Sequence, residues 1–236
     1  AVTALMTRSE GSLVYAGALM TDARALADRL LVRRGDPLTL DDINAHATPG
    51  LSDGKEDRDL AEAEHAFNVQ RIADLQYLLW AESRRSLLVV LQGMDTSGKD
   101  GAVRHVFSGV NPQGVRVYSF AAPTRLELQR DFLWRIHMRM PRRGDIVVFN
   151  RSHYEDVLVA RVRQLVPESV WTQRFDLIND FERLLASNGV TILKCFLHIS
   201  RTEQLERLKA RLADPKKNWK LTQADVDERK RGSAYT

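Results

Sequence analysis

The chain has a single cysteine, Cys195, in 236 residues, so it forms no internal disulfide. Lying in an apolar run, that residue reads as a small core side chain rather than a nucleophile. No apolar run approaches the ~20 residues that a membrane-crossing helix needs; the most apolar stretch, 87–92, has the length of a strand. Residues 1–17 are apolar in flavour, but Arg8, Ser9 and Glu10 interrupt them and no signal-peptide layout is present. His46, His65, His105, His137, His153 and His198 show no metal-ligand spacing, so no zinc site is expected. Internal repeats and low-complexity tracts are missing too. The excess of positive charge is small, +4. It fits a polyanionic partner (nucleic acid, nucleotide or chain phosphate) without choosing among them. What remains is an ordinary globular composition, 44% hydrophobic and 28% charged, and the expectation of a cytoplasmic protein.

The length suits one α/β domain with an N-terminal extension. Residues 1–60 read as that extension, with a short helix over 22–33, the breaker Gly35-Asp36-Pro37, and a polar loop carrying Pro49-Gly50 and Gly54. Over 61–82 the pattern is helical: Ile72, Leu75 and Leu79 recur at helical spacing, while Glu62, Glu64, Arg71 and Asp74 face water. Then the period changes. Leu87-Leu88-Val89-Val90-Leu91 is a continuous apolar run, as in a parallel strand buried on both faces. Similar runs cover 115–120, 146–149 and 190–199. Helices are expected between them, over 125–140 with Leu126, Leu133, Ile136 and Met140 on one face, and over 169–186 with Val170, Leu177, Phe181 and Leu184. This alternation predicts a parallel sheet covered on both sides. Ser200-Arg201-Thr202-Glu203 is a capping-box pattern opening a further helix, with Leu205, Leu208 and Leu212 on its apolar face and Arg207 and Arg211 on another. A basic loop, 214–220, and a last short helix from Thr222 follow.

The chemistry centres on Gly93-Met94-Asp95-Thr96-Ser97-Gly98-Lys99, directly after the first buried strand and before a helix over 100–107. Glycines allow a tight turn whose N–H groups face phosphate oxygens; the helix N-terminus and Lys99 add positive charge. Two residues depart from an ordinary nucleotide loop. Asp100 stands where a Ser or Thr hydroxyl normally holds Mg²⁺. Asp95 is an anion inside an anion-attracting pocket, which suits a bound divalent cation; a loop-stabilising Asx turn is the plainer alternative.

A second strand ends in Asn150-Arg151-Ser152-His153-Tyr154-Glu155-Asp156, at the edge where open α/β sheets place ligands. Asn150 stands where a Walker B strand carries Asp, and Arg151 is placed to meet transferring phosphates. A capped loop with a salt bridge is the structural alternative.

With these elements in hand, the chain resembles the family 2 polyphosphate kinases. The matching residues run from Leu91 through Gly101, and include Val110-Asn111-Pro112, Pro123-Thr124 and Phe132-Leu133-Trp134-Arg135. They continue with Phe149 through Val159 and Lys217-Asn218-Trp219-Lys220, so that the resemblance spans residues 64–231. It implies a P-loop kinase-like three-layer α/β sandwich, a parallel sheet with helices on both faces, carrying a helical lid over about 200–231. The implied domain is 61–236, with a C-terminus that looks truncated beside the family. The implied activity is Mg²⁺-dependent phosphoryl transfer between inorganic polyphosphate and a nucleoside mono- or diphosphate, with neither nucleic acid nor membrane as partner, by a homodimer or homotetramer. Carried onto this chain, the catalytic residues are Asp95, Lys99, Arg151, Arg207 and Arg211. Gly93, Met94, Thr96, Ser97, Gly98, Asp100, Lys216 and Lys217 bind phosphate; Asn150, His153 and Glu155 bind the nucleotide; Asp95 and Asn150 hold the metal, with Glu155 or Asp156 to compensate for the neutral Asn150. The Ser-His-Tyr-Glu-Asp run is closer to members acting on AMP as well as ADP. Arg125, Arg130, Arg139, Arg142 and Arg143 are candidates for a basic path along the polyanion, or for a solvated face. Two other readings stay open: an ATP-dependent nucleoside monophosphate kinase on the same fold, and a catalytically silent polyphosphate- or nucleotide-binding regulator.

Overall fold

A computed structural model describes residues 3–8, 23–33, 35–49, 55–216 and 218–220. Expectations for Lys217 and for the helix from Thr222 lie outside the described residues. Helix α1 spans Ala23–Leu30 and α2 spans Lys55–Glu82, beginning earlier than its apolar repeat suggests. The four expected buried strands are β2 (Ser86–Gln92), β3 (Val115–Ser119), β4 (Ile146–Asn150) and β5 (Val190–His198). Together with β1 (Thr3–Arg8) they form a sheet in the order β1-β5-β2-β4-β3. The four later strands are mutually parallel, and β1 adds to the β5 edge antiparallel. Helices α3 (Lys99–Val106), α4 (Trp134–His137), α5 (Glu155–Val162), α6 (Glu168–Ser187) and α7 (Arg201–Ala213) complete the α/β fold.

Alternation along β2 and β4 builds two cores, one on each sheet face. Leu88, Val90, Val147, Phe149 and Ile192 meet Ile136 of α4 and Phe181 and Leu185 of α6. Val89, Leu91, Ile146 and Val148 meet Leu79 of α2, with Ala102 and Val103 of α3. Burying each such large apolar side chain contributes about 1.5–3 kcal/mol, which anchors the central strands whose carboxyl ends carry the site. Cys195 packs against the second core, and burial pushes its thiol up to about 11, as befits an inert core residue.

Three helical expectations are corrected. Residues 125–140 form only a 3₁₀ turn at Glu127–Gln129 and the four-residue α4. Thr124 and Glu127 exchange side chain–backbone hydrogen bonds, and Asp131 accepts from the Leu133 N–H, so local side chains take backbone groups that a continuous helix would use. On α6 the sheet takes the row Ile178, Phe181 and Leu185, leaving Val170, Leu177 and Leu184 exposed. On α2, Leu75 faces out while Gln76 is buried; the Gln76 side chain accepts from the Asn111 N–H. A polar residue can thus take the inward position when its hydrogen bond is made.

Candidate active site

β2 is the inner strand from which the chain order departs in both directions, to β4 on one side and β5 on the other. Its carboxyl end is therefore a topological switch point, where the diverging connections leave a crevice. The phosphate-loop sequence occupies it. Gly93 has φ +147, and a Cβ there would lie 2.6 Å from the Leu197 carbonyl and 2.7 Å from Ser97 Oγ, so only glycine fits. Gly98, at φ +102, turns the chain into α3. Thr96 and Arg151 also adopt left-handed backbone, φ +67 and +62, a conformation costing non-glycine residues of order 1 kcal/mol.

Lys99 is buried at the loop's centre. Its ammonium donates to the Gly93 carbonyl (2.6 Å), the Met94 carbonyl (2.9 Å) and Ser97 Oγ (3.3 Å), all neutral acceptors. Burial, reinforced by the Arg151 charge, lowers its pKa to about 8 against the opposing pull of Asp95, Glu155 and Asp100. Asp95 accepts a short charge-assisted hydrogen bond from Arg151. Glu155, the first residue of α5, accepts from Gln92 at 3.3 Å, and burial raises its pKa despite Arg151 and Lys99 nearby.

Asn150 closes β4 and donates to Asp100 Oδ1 at 2.7 Å. The strand end therefore lacks a carboxylate but touches one supplied by α3. Asp156 does not serve there. It pairs with Arg135 at 3.4 Å and receives Arg174 on its backbone carbonyl, on the far side of α5. Among the described residues, no three His, Cys, Asp or Glu side chains are gathered to hold a metal ion.

α7 lies over the loop. Ser200 caps it by accepting from the Glu203 N–H, as the sequence pattern requires, but the Glu203 side chain turns to Arg207 (2.7 Å) rather than back to the cap. Arg207 also donates to the Thr96 carbonyl (3.1 Å), and Gln204 to the Asp95 carbonyl (3.3 Å). Gln204 and Leu208 form the buried row while Leu212 is exposed, so the helix presents a mixed face to the loop instead of the leucine face expected of it. Arg211 follows one turn on, partly buried; Lys216 is exposed beyond the helix end.

His153 is fully buried. It lies 3.3 Å from Glu182 and packs on Tyr154 and Phe181, so it offers no face to a bound nucleotide and supports the site from beneath. Of the arginines considered for a basic path, Arg130 and Arg139 lie over the rings of Trp134 and Tyr118, and Arg142 bonds buried Asp145. Arg125 and Arg143 are exposed. Sequence reasoning passed over Gln92 and Gln204, which touch loop or site residues. The signal available for Gln92 was its position, a polar residue closing an otherwise apolar strand.

A family model described as Polyphosphate kinase 2 (PPK2) matches residues 55–236. The chain is 56% identical over 166 residues to the AMP/ADP-polyphosphate phosphotransferase of Meiothermus ruber, covering 70% of this chain and 62% of that protein. It is 47% identical over 179 residues to the ADP-polyphosphate phosphotransferase of Rhodopseudomonas palustris, covering 71% and 62%. It thus spans about three fifths of the length of these curated relatives. Among solved structures, the polyphosphate kinase 2 of Arthrobacter aurescens superposes with a TM-score of 0.79 at 41% identity, over 86% of this chain and 72% of that one.

Proposed function

The chain belongs to the Polyphosphate kinase 2 family, and from that premise we propose that it transfers a phosphoryl group between inorganic polyphosphate and a nucleoside mono- or diphosphate, AMP or ADP. The observation that carries this reading is Lys99: a buried ammonium bonded only to neutral oxygens of its own loop. An incoming phosphate would give this desolvated cation the anion it lacks.

Phosphoryl transfer asks for alignment and charge neutralisation more than for covalent chemistry. The loop residues Gly93, Met94, Thr96, Ser97 and Gly98, with the backbone N–H of Asp100 in the first turn of α3, hold one phosphate group. Lys99 moves from the loop carbonyls to its oxygens. Arg151 exchanges Asp95 for the transferring group, while Arg207 and Arg211 close on it from α7, which with the following turn we assign to a lid over a domain of residues 61–236. Lys216 extends the positive lining toward the polyphosphate chain, and a phosphate-binding role is assigned to Lys217 as well. Glu155 and Asn150 lie on the nucleotide side, with His153 holding their loop from below.

Asp95, Asp100 and Asn150 offer hard oxygen donors, the set that suits Mg²⁺, which binds one or two carboxylates and completes its shell with phosphate and water. Bound there, the ion supplies further neutralisation of phosphate charge. Exposed apolar side chains on α2 (Phe67, Leu78) and α6 (Phe175, Leu184) support a homodimer or homotetramer. A substrate pair of nucleotide and polyphosphate, with neither nucleic acid nor membrane as partner, supports work in the cytoplasm.

Incubation with AMP or ADP, Mg²⁺ and either polyphosphate or ATP as donor tests the reading. Product formed from polyphosphate is expected. Transfer from ATP alone would make the chain a nucleoside monophosphate kinase, and binding without turnover a regulator; either result overturns the proposal.

A further inference from the structure

A cavity of about 650 Å³ opens beside the phosphate loop. One of its walls comes from an unexpected place, residues 40–46 of the N-terminal segment, outside the region matched by the family model. That segment is a 3₁₀ turn, Leu40–Asp42, followed by an Asx turn in which Asn44 Oδ1 accepts from the His46 N–H at 2.9 Å. Ala45 is buried, and the His46 ring lies 3.4 Å from Ser200 Oγ, the cap of α7. The wall is therefore fixed at two points.

We propose that this cavity receives the nucleoside of the nucleotide substrate, and that the Leu40–His46 wall sets which nucleoside is accepted. The inference rests on the phosphotransferase reading above and deepens it. The cavity is in the size range of small-ligand sites. Its chemistry is divided. Asp95, Arg151 and the loop stand at one end, where phosphates would lie; Leu40, Ile43, Leu158, Val159 and Phe196 supply an apolar surface beyond them. A polyphosphate chain has no apolar part to place against that surface, whereas a base and sugar have.

A second observation points to a ligand. Gln92 is 8% exposed and lines the cavity, and its Oε1 has no hydrogen-bond partner, its amide being used on Glu155. A buried carbonyl oxygen left unpaired costs about 1–3 kcal/mol. Adjacent to the phosphate loop, it is placed to accept from a sugar hydroxyl, which polyphosphate does not carry.

Steady-state kinetics of the full chain carrying Ile43→Trp, which fills the cavity, test this. The expected result is a KM for AMP or ADP raised at least about tenfold, with the KM for polyphosphate within about twofold of the unmodified chain. A nucleotide KM that stays within about twofold, or equal rises for both substrates, overturns the inference. If Ile43→Trp does not fold, Ile43→Ala reads the same wall, with the nucleotide KM rising about threefold or more or the inference failing. Inhibition by adenosine, competitive against the nucleotide and lost in the Ile43 variant, is expected; inhibition competitive against polyphosphate contradicts it. If the unmodified chain transfers nothing, the functional reading falls. Calorimetric binding of AMP, weakened about tenfold by Ile43→Trp or left unchanged, still decides the wall.

Discussion

Two polar clusters are built from one short run of sequence, and they differ in almost every physical respect. Asn150, Arg151 and Glu155 turn toward the phosphate loop, whereas His153 and Tyr154 turn inward to Glu182 and Lys194. In the inner cluster each charge is answered. Glu182 accepts from Tyr154 and Lys194, both at 2.7 Å, with His153 at 3.3 Å. Burial alone would raise its pKa, but those hydrogen bonds outweigh it and hold the carboxyl at about 2. Burial and the Glu182 charge push the Tyr154 hydroxyl above its usual range. In the outer cluster, burial depresses Lys99 and raises Glu155, Thr96 and Arg151 sit in left-handed backbone, and Gln92 Oε1 and Thr96 Oγ1 have no partner. The inner cluster pairs its charges and leaves only His153 Nδ1 without a partner; the outer one is left less complete, as a site awaiting a ligand would be.

That contrast separates the effects of substitution. Arg151→Ala is expected to lower polyphosphate-dependent turnover by about 10²–10³-fold while moving the thermal midpoint little, checked by parallel kinetics and calorimetry. Glu182→Gln should do the reverse. Leaving His153 and Lys194 without their anion costs about 3 kcal/mol, read by urea denaturation, with a smaller effect on turnover. A large kinetic loss in Glu182→Gln at unchanged stability would erase the distinction.

The effect of pH is next in size. The folded pKa of Lys99, about 8, lies below the roughly 10.4 of an unfolded lysine. Between these values the unfolded chain binds more protons, so the Lys99 contribution makes stability rise with pH across that window. Phosphate affinity, which needs the charged ammonium, should fall over the same range; Lys99→Met should flatten both curves. Glu182 gives a slope of the same sign in an acid window: its contribution is full above the unfolded value near 4.3 and is lost as pH falls through about 2. The smallest effect is expected for Asn150→Asp. A second carboxylate beside Asp100 lowers the midpoint without divalent cation by a few degrees, about 1 kcal/mol, and Mg²⁺ should restore it.

The outer cluster was largely legible in the sequence, and the inner one was not. Glycines at fixed spacing, a following lysine and an apolar strand before them have few physical interpretations. So do continuous apolar runs, which is why β2 through β5 were readable. His153 shares its run with Arg151, and spacing along a loop does not say which side chain turns inward. Residues 125–140 carried helical spacing, but the side-chain hydrogen bonds of Thr124, Glu127 and Asp131 compete with a helix in ways that periodicity does not register. The cavity wall at 40–46 has no period at all, and its placement follows from tertiary contacts at Ala45 and His46.

The most direct measurement follows labelled phosphate from polyphosphate into nucleotide, with Mg²⁺ present, for the unmodified chain and for Lys99→Ala side by side. The account predicts transfer by the first and a loss of about 10²-fold or more in the second, with both proteins equally folded. Equal transfer by the two proteins would contradict it.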